Sequence, residues 1–319
     1  MGVFVRRTAL IGLSFFAVVR LAAQAPSCPA VTIDSAGMMK DVFRLADDSM
    51  RGRRVGSPEN AKARDFIAAR FDALGLDRVA PGRIHPFTTA GRNGNPINGN
   101  NVVGTIKGTA NPDEYIVVSA HFDHIGVGRP VNGDSIFNGA DDNASGTAAL
   151  MAMARMFMQE KPKHTLVFIA FDAEESGDVG SLAWVNAAPI VLDKILADVN
   201  MDMVGRNVKN QLFAAGPTKY PQLQPLVEET IACTKGITLT IGHDGPGVPG
   251  GNDDWTNQSD QGAFNGKKIP FVYFGEEDHR DYHHVGDSPD RLMRAFYAAS
   301  VRAVADFIRR FDAKPVPRQ

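Results

Sequence analysis

Apolar positions change period along this chain. Residues from about 34 to 76 read as helical, with apolar residues at helical spacing over residues 41–50 and over residues 60–74, where Ala63, Phe66, Ile67, Phe71 and Leu74 recur. Gly75 stands where a left-handed C-cap would end the longer helix. The stretch GRRVGSPEN between the two is a turn-rich connection. Residues 81–101 are dense in Gly, Asn and Pro and read as irregular loop with room for one strand. Beyond that the period shortens. Compact apolar runs at residues 101–106, 115–120, 166–171, 196–201 and 270–274 predict strands, several of them nearly continuous and β-branched, as suits strands buried on both faces. Helical stretches at residues 146–158, 182–188, 222–235 and 291–311 alternate with them. The expected fold is α/β, with a mixed, largely parallel central sheet flanked by helices. No repeat, low-complexity tract or linker divides residues 26–319, which are expected to form a single domain with a frayed tail after Ala313.

The N-terminus follows another logic. Arg6 and Arg7 precede an apolar run over residues 8–19, and small residues follow at Ala22, Ala23 and Ala25. That layout is a secretory signal peptide over residues 1–25, too short to span a bilayer comfortably and closed by Arg20. An uncleaved anchor is the rival reading, and Pro26 leaves the cut itself open. The mature chain is expected to be secreted or periplasmic, with no stable membrane association after cleavage. The residues before Cys28 do not fit a lipidation signal. Cys28 and Cys233 are the two cysteines; an oxidising compartment would permit a disulfide, and sequence leaves its formation open. Hydrophobic residues at 44% and charged residues at 22% match an ordinary globular protein and exclude disorder. A net charge of −2 gives no basic field for nucleic acid. Nothing in the sequence fixes an oligomeric state.

Ligands of open α/β sheets gather at the C-terminal ends of strands, so the residues after each apolar run matter most. His121-Phe122-Asp123, Asp172-Ala173-Glu174-Glu175, Asp202, and a loop with Glu276, His279, Tyr282, His283 and His284 each follow one. Asp141-Asp142-Asn143 opens the helix at residue 146. Singly, each has a plain structural explanation: a surface pair, a solvated turn, a helix cap. Asp202, inside the apolar run VNMDMVG, is harder to dismiss, since a buried carboxylate must be paired or metal-bound. Together they form a histidine–carboxylate set suited to zinc, and two cysteines exclude an all-thiolate site. Many carboxylates with few histidines favour two metals over one.

The stretches SAHFDHIG, FNGADDNASGTAAL, FIAFDAEESGDVGS, VNMDMVG and DYHHVGDSPD, in this order, resemble the zinc-dependent exopeptidase family that contains secreted bacterial leucyl aminopeptidases and the glutamate carboxypeptidases. GRRVGSPENAKARDFI and NVVGTIKG resemble the family's lead-in, so the likeness covers most of the mature chain. The resemblance implies two Zn2+ per chain: His121 and Asp202 on one, Glu175 and His283 on the other, and Asp142, followed by a cis peptide, bridging both. It implies that Asp123 orients His121, that Glu174 is the general base, and that Tyr282 stabilises an oxyanion. The substrate would be a peptide cleaved at its N-terminal residue, the zinc pair supplying an acidified water. Asp141 is a rival for Asp142, and His284 for His283. His279 is expected to line or support the site, and His124, His164 and His243 to be surface or loop residues. Trp255, in the loop HDGPGVPGGNDDW, is a candidate wall of the cleft or part of a mobile surface loop. Relatives often carry Ser-Asp-His before the last core strand, where this chain has Ser259-Asp260-Gln261. A carboxypeptidase or dipeptidase with the same metal core is the nearest alternative; it would need an arginine for the substrate carboxylate, such as Arg129, Arg206 or Arg280. A glutaminyl-cyclase-like transferase and a non-catalytic binding module are more distant.

Overall fold

The structure, a computed structural model, describes residues 1–3, 26–91, 94–250 and 253–318. Residues 4–25, the body of the expected signal peptide, lie outside the described residues.

The first half of the chain supplies α1 (Ser35–Leu45), α2 (Pro58–Leu74), β1 (Ile84–Ala90), β2 (Pro96–Ile106), β3 (Asn111–His121), the hairpin of β4 (Gly126–Val131) and β5 (Asp134–Phe137), and α3 (Gly146–Glu160). The second half supplies β6 (His164–Phe171), α4 (Val179–Asn186), β7 (Ile195–Asp202), β8 (Gln211–Ala215), α5 (Gln224–Cys233), β9 (Thr238–Ile241), α6 (Gln261–Gly266), β10 (Phe271–Gly275) and α7 (Arg294–Ala313). Eight strands form one sheet in the order β1-β2-β6-β3-β7-β10-β8-β9. Its centre, β6-β3-β7-β10, is parallel throughout, whereas β2 joins β6 and β8 joins β10 antiparallel. The expected largely parallel sheet flanked by helices is thus present.

Alternation along β6 shows how the layers are cemented. Leu166, Phe168 and Ala170 enter the core shared with α1, α2, α3 and α7, while Val167, Ile169 and Phe171 enter the core shared with α4 and α6. Every position of β6 is buried, which is why its sequence carries no polar face.

Several elements differ from expectation. Helical structure does begin near residue 34, where the Asp34 side chain accepts from Gly37 N at 2.9 Å and caps α1, but the helix is shorter than the apolar spacing over residues 41–50 predicts. It ends at Leu45, and a 3-10 turn over Asp48–Arg53 follows, with Arg51 and Gly52 at positive φ. A Cβ on Gly52 would lie 2.4 Å from the Phe137 carbonyl oxygen, so only glycine permits this close approach. The stretch at 81–101 is mostly β1 and β2, paired antiparallel from Ile84↔Val102 to Ala90↔Pro96. Its composition hid this: an edge hairpin open to water keeps Gly, Asn and Pro. The short strands β8 and β9 and the β4–β5 hairpin were not anticipated either. The tail is not free, since Arg318 donates to the Leu192 carbonyl at 2.8 Å. Cys28 and Cys233 form a disulfide, with Cα atoms 5.3 Å apart, tying the segment before α1 to the end of α5. No helix among the described residues is long and apolar enough to cross a membrane.

Asp198, inside β7, is wholly buried. It accepts from Ser119 Oγ at 2.8 Å, and its Oδ2 has no partner. Burial pushes its carboxyl up to about 8, against the pull of the serine hydroxyl. A raised folded value means stability is fully present below the unfolded carboxyl pKa, about 3.9, and declines as pH rises towards 8. Asp198→Asn is therefore expected to gain on the parent protein as pH rises from 5 to 8, by on the order of 1 kcal/mol or more in urea unfolding. An equal gap at both pH values would show that Asp198 does not titrate across this range.

Candidate metal centre

The four central strands are neighbours, and each delivers an acid or a histidine at its C-terminal end. β3 ends in His121, β7 ends in Asp202, β6 is followed by Glu174 and Glu175, and β10 opens the loop to His283. Asp142 arrives from the turn before α3, and the peptide between it and Asn143 is cis.

The side chains converge as two groups sharing Asp142. His121 Nε2 lies 3.3 Å from Asp202 Oδ1 and 3.3 Å from Asp142 Oδ1. His283 Nε2 lies 3.1 Å from Asp142 Oδ2 and 3.1 Å from Glu175 Oε2. The two oxygens of Asp142 therefore face different histidines. Donors about 2.0–2.2 Å from a tetrahedral zinc stand roughly 3.3 Å apart, so these separations fit shared cations. Glu174 Oε2 sits 3.9 Å from His121 Nε2 and lies with His121 and Asp202 in one metal-capable group. Asp123 Oδ1 accepts from Glu174 N at 3.0 Å and lies 3.6 Å from His121 Nδ1, beyond hydrogen-bonding reach. His121, Asp142, Glu175, Asp202 and His283 are thus brought together, whereas Asp123, expected to orient His121, bonds Glu174 N instead and leaves His121 Nδ1 unpartnered.

The rivals are separated by orientation. Asp141 turns away: its Oδ1 accepts from Gly205 N at 2.8 Å, and its Oδ2 faces His279 Nε2 at 3.3 Å. His284 is exposed, with Nδ1 against the Tyr282 carbonyl. Three histidines expected on the surface or in loops are instead buried. His164 contacts Asp312 at 3.0 Å, and His243 stacks on Trp255 at 3.5 Å. His124 lies within the metal-capable group, with Nδ1 2.7 Å from Glu175 Oε1. Its spacing in HFDH did hint at a second inward residue, because it stands in the same short loop as Asp123. Trp255 packs inside with Phe213 and Tyr273 and is not an exposed wall of the cleft. Gln261 bonds Asn200 Nδ2 through its Oε1 at 2.8 Å and the Trp255 carbonyl through its Nε2 at 2.6 Å, so the departure from Ser-Asp-His leaves no unpaired amide.

Burial and charge act against each other throughout. Burial would raise Asp142, but His124, His121 and His283 hold it well below the usual carboxylate range. Burial would lower His283, but Asp142 and Glu175 lift it to about 10. Glu174 is held well above the carboxylate range by burial, with His121 partly offsetting. Unpartnered buried atoms, among them Glu175 Oε1 and both nitrogens of His124, add to the case for a bound cation.

The matched family pattern decides the relationship: residues 101–308 match peptidase family M28. The chain belongs to that family. It is similar to a probable zinc metalloprotease of Pyrenophora tritici-repentis, 32% identical over 154 residues, 47% of this chain and 35% of that protein. It is also similar to a glutamate carboxypeptidase 2 homolog of Caenorhabditis elegans, 37% identical over 115 residues, 34% of this chain and 14% of that one. The chain thus spans about a third or less of these relatives' lengths. Its fold resembles an aminopeptidase from Aneurinibacillus sp. strain AM-1, with a TM-score of 0.68 at 16% identity, covering 90% of this chain and 95% of that one.

One residue that sequence reasoning missed holds this M28 centre together. Arg53 is fully buried. Its guanidinium donates to the carbonyls of Phe122, Leu45, Asn138, Gly139 and Asp142, joining the His121 loop to the Asp142 loop. Burial presses its pKa down, and Asp142, Asp287, Asp123 and Glu175 press it back up. Arg53→Met is expected to cost about 3–5 kcal/mol in urea unfolding, because it strands buried acceptors and removes a cation from an acidic site. Arg53→Lys should recover little, as one ammonium cannot replace the planar fork. A loss below about 1 kcal/mol would contradict this role.

Proposed function

We propose that this chain is an exported aminopeptidase that binds two zinc ions and removes N-terminal residues from peptides. The observation that carries the reading is Asp142, whose two oxygens face His121 and His283 at 3.3 and 3.1 Å, an arrangement suited to bridging. His121 and Asp202 would hold one zinc, and Glu175 and His283 the other. The Cys28–Cys233 disulfide and the N-terminal signal pattern support export.

When bound, the zinc pair supplies a polarised water and positive charge for the developing oxyanion. Glu174 would take the proton from the attacking water and deliver it to the leaving amine, burial raising the proton affinity of its carboxyl. Asp123 holds the backbone of Glu174 in position. Tyr282 stacks on His283 with ring centroids 4.0 Å apart. Burial, followed by the charge of Asp142, raises its hydroxyl, keeping it protonated and able to donate to the oxyanion.

Of the three arginines weighed for a substrate carboxylate, Arg129 is exposed on β4 and the other two face an acid. Arg206 is committed to Asp281 at 2.5 Å, and Arg280 also faces Asp281, at 3.7 Å. One observation favours a second reading, a carboxypeptidase: exposed Arg54 lines a cleft of about 670 Å³ together with Glu175 and Ser176.

Two measurements separate these readings. An aminoacyl anilide with a free amine is expected to be hydrolysed in a chelator-sensitive manner, and its N-acetyl form to be inert. Preference for an acetylated peptide with a free C-terminus, lost in Arg54→Ala, would select the carboxypeptidase. Glu174→Gln should lower kcat by at least about a hundredfold while zinc stays near two per chain. Loss of both zincs in that variant would make Glu174 structural and refute the assignment.

A further inference from the structure

We propose that His124 is a further metal ligand, joining Glu175, His283 and one oxygen of Asp142 around a single ion. The inference rests on the two-zinc reading above and goes beyond it by making the two metal positions unequal.

His124 has no solvent exposure, and neither of its ring nitrogens makes an aligned hydrogen bond. Its Nδ1 is 2.7 Å from Glu175 Oε1 and 3.6 Å from Asp142 Oδ2. The 2.7 Å contact is short enough for a hydrogen bond but is misdirected for ring N–H donation, so distance alone overstates it as one. A buried imidazole with no bond to show for its desolvation is costly. A nitrogen lone pair directed at a cation that the carboxylates also face removes that cost. The ring also stands edge-on to His283, with centroids 5.7 Å apart, so both imidazoles enter the same space.

The backbone makes room for this. Gly139 has φ +58°, and a Cβ there would lie 2.5 Å from carbon atoms of the His124 ring. Any side chain at 139 would push the imidazole off the site. Arg53, which bonds the carbonyls of Phe122 and Gly139, fixes the distance between the two loops.

The consequence is an asymmetric pair. One ion has four side-chain donors within reach, the closed pattern of structural zinc sites. The other would draw on His121, Asp202 and the second oxygen of Asp142, with Glu174 in the same group, so the sides differ in carrying two histidines and one.

The test uses the full chain, stripped of metal and reloaded with cobalt(II) or zinc. Proton NMR of the cobalt-loaded protein in water counts coordinated imidazoles through their hyperfine-shifted, exchangeable N–H signals. Three signals are expected in the parent protein and two in His124→Ser. In zinc competition with a chelator, His124→Ser should release one of its two ions about 10–100-fold more readily. His124→Gln, which keeps most of the side-chain volume, should behave like the serine variant. The melting temperature of each metal-free variant checks the fold, and if neither folds, the parent signal count decides alone. Two signals in the parent protein, or both zincs retained with unchanged affinity in a folded variant, would overturn the proposal while leaving the two-zinc reading intact. A parent protein that binds no metal would overturn both.

Discussion

Buried negative charge is the constraint to which this structure answers. Asp123, Asp142, Glu174, Glu175 and Asp202 converge at the ends of adjoining strands, and Asp141, Asp260 and Glu276 are buried around them. Carboxylates concentrated away from water repel one another and lose hydration, so each must find a cation, a proton or a set of N–H donors. All three remedies are visible. Histidines face Asp142 and Glu175, and burial holds the carboxyls of Asp260 and Glu276 well above their usual range, which favours their protonated form. Asp287 accepts from the backbone N–H groups of Asp141 and Asp142. Arg53 contributes a fixed positive charge, and it does so through carbonyls, so that it occupies no carboxylate oxygen itself.

The sheet makes the convergence possible. Parallel strands bring their C-terminal ends to one edge, and four in a row give a line of anchored positions. A polar layer beneath that edge stiffens it: Ser119 Oγ bonds Asp198 and Asn200, and Asn200 Nδ2 bonds Ser259 and Gln261. The aromatic cluster behind β8 and β10 serves the same end, because Tyr273 packs in it and donates its hydroxyl to the Asp202 carbonyl at 3.3 Å.

What could be read from sequence divides along physical lines. The strands buried on both faces were legible because their apolar runs have no other explanation, and so were the acids at their ends. The edge elements were not: β1, β8 and β9 are short or half-wet, and their stability comes from pairing partners that no local pattern announces. Asp142 and His283 were legible through motif order. Arg53 was hidden, since an arginine in GRRVGSPEN reads as solvated, and only the fold reveals that the 3-10 turn aims it inward. His124 was misread for the opposite reason: a histidine in a Gly-flanked loop is usually exposed, but β3 and the Asp142 turn close over it.

Asp142 shows how backbone bonding can free a side chain for work on two sides. Its N–H is taken by Asp287 and its carbonyl by Arg53. Asn143, the next residue, uses its own side chain on the Met201 carbonyl and on Gly146 N, so the turn is braced against both β7 and α3. With the main chain held by others, neither carboxylate oxygen is needed for local structure. One faces His121 and the other His283. Asp141, one residue earlier, has the same chemistry, but its Oδ1 is spent on Gly205 N and its Oδ2 faces His279. The difference between an acid spent on local structure and one whose two oxygens face separate histidines lies in which neighbouring groups have already been satisfied, not in the residue type.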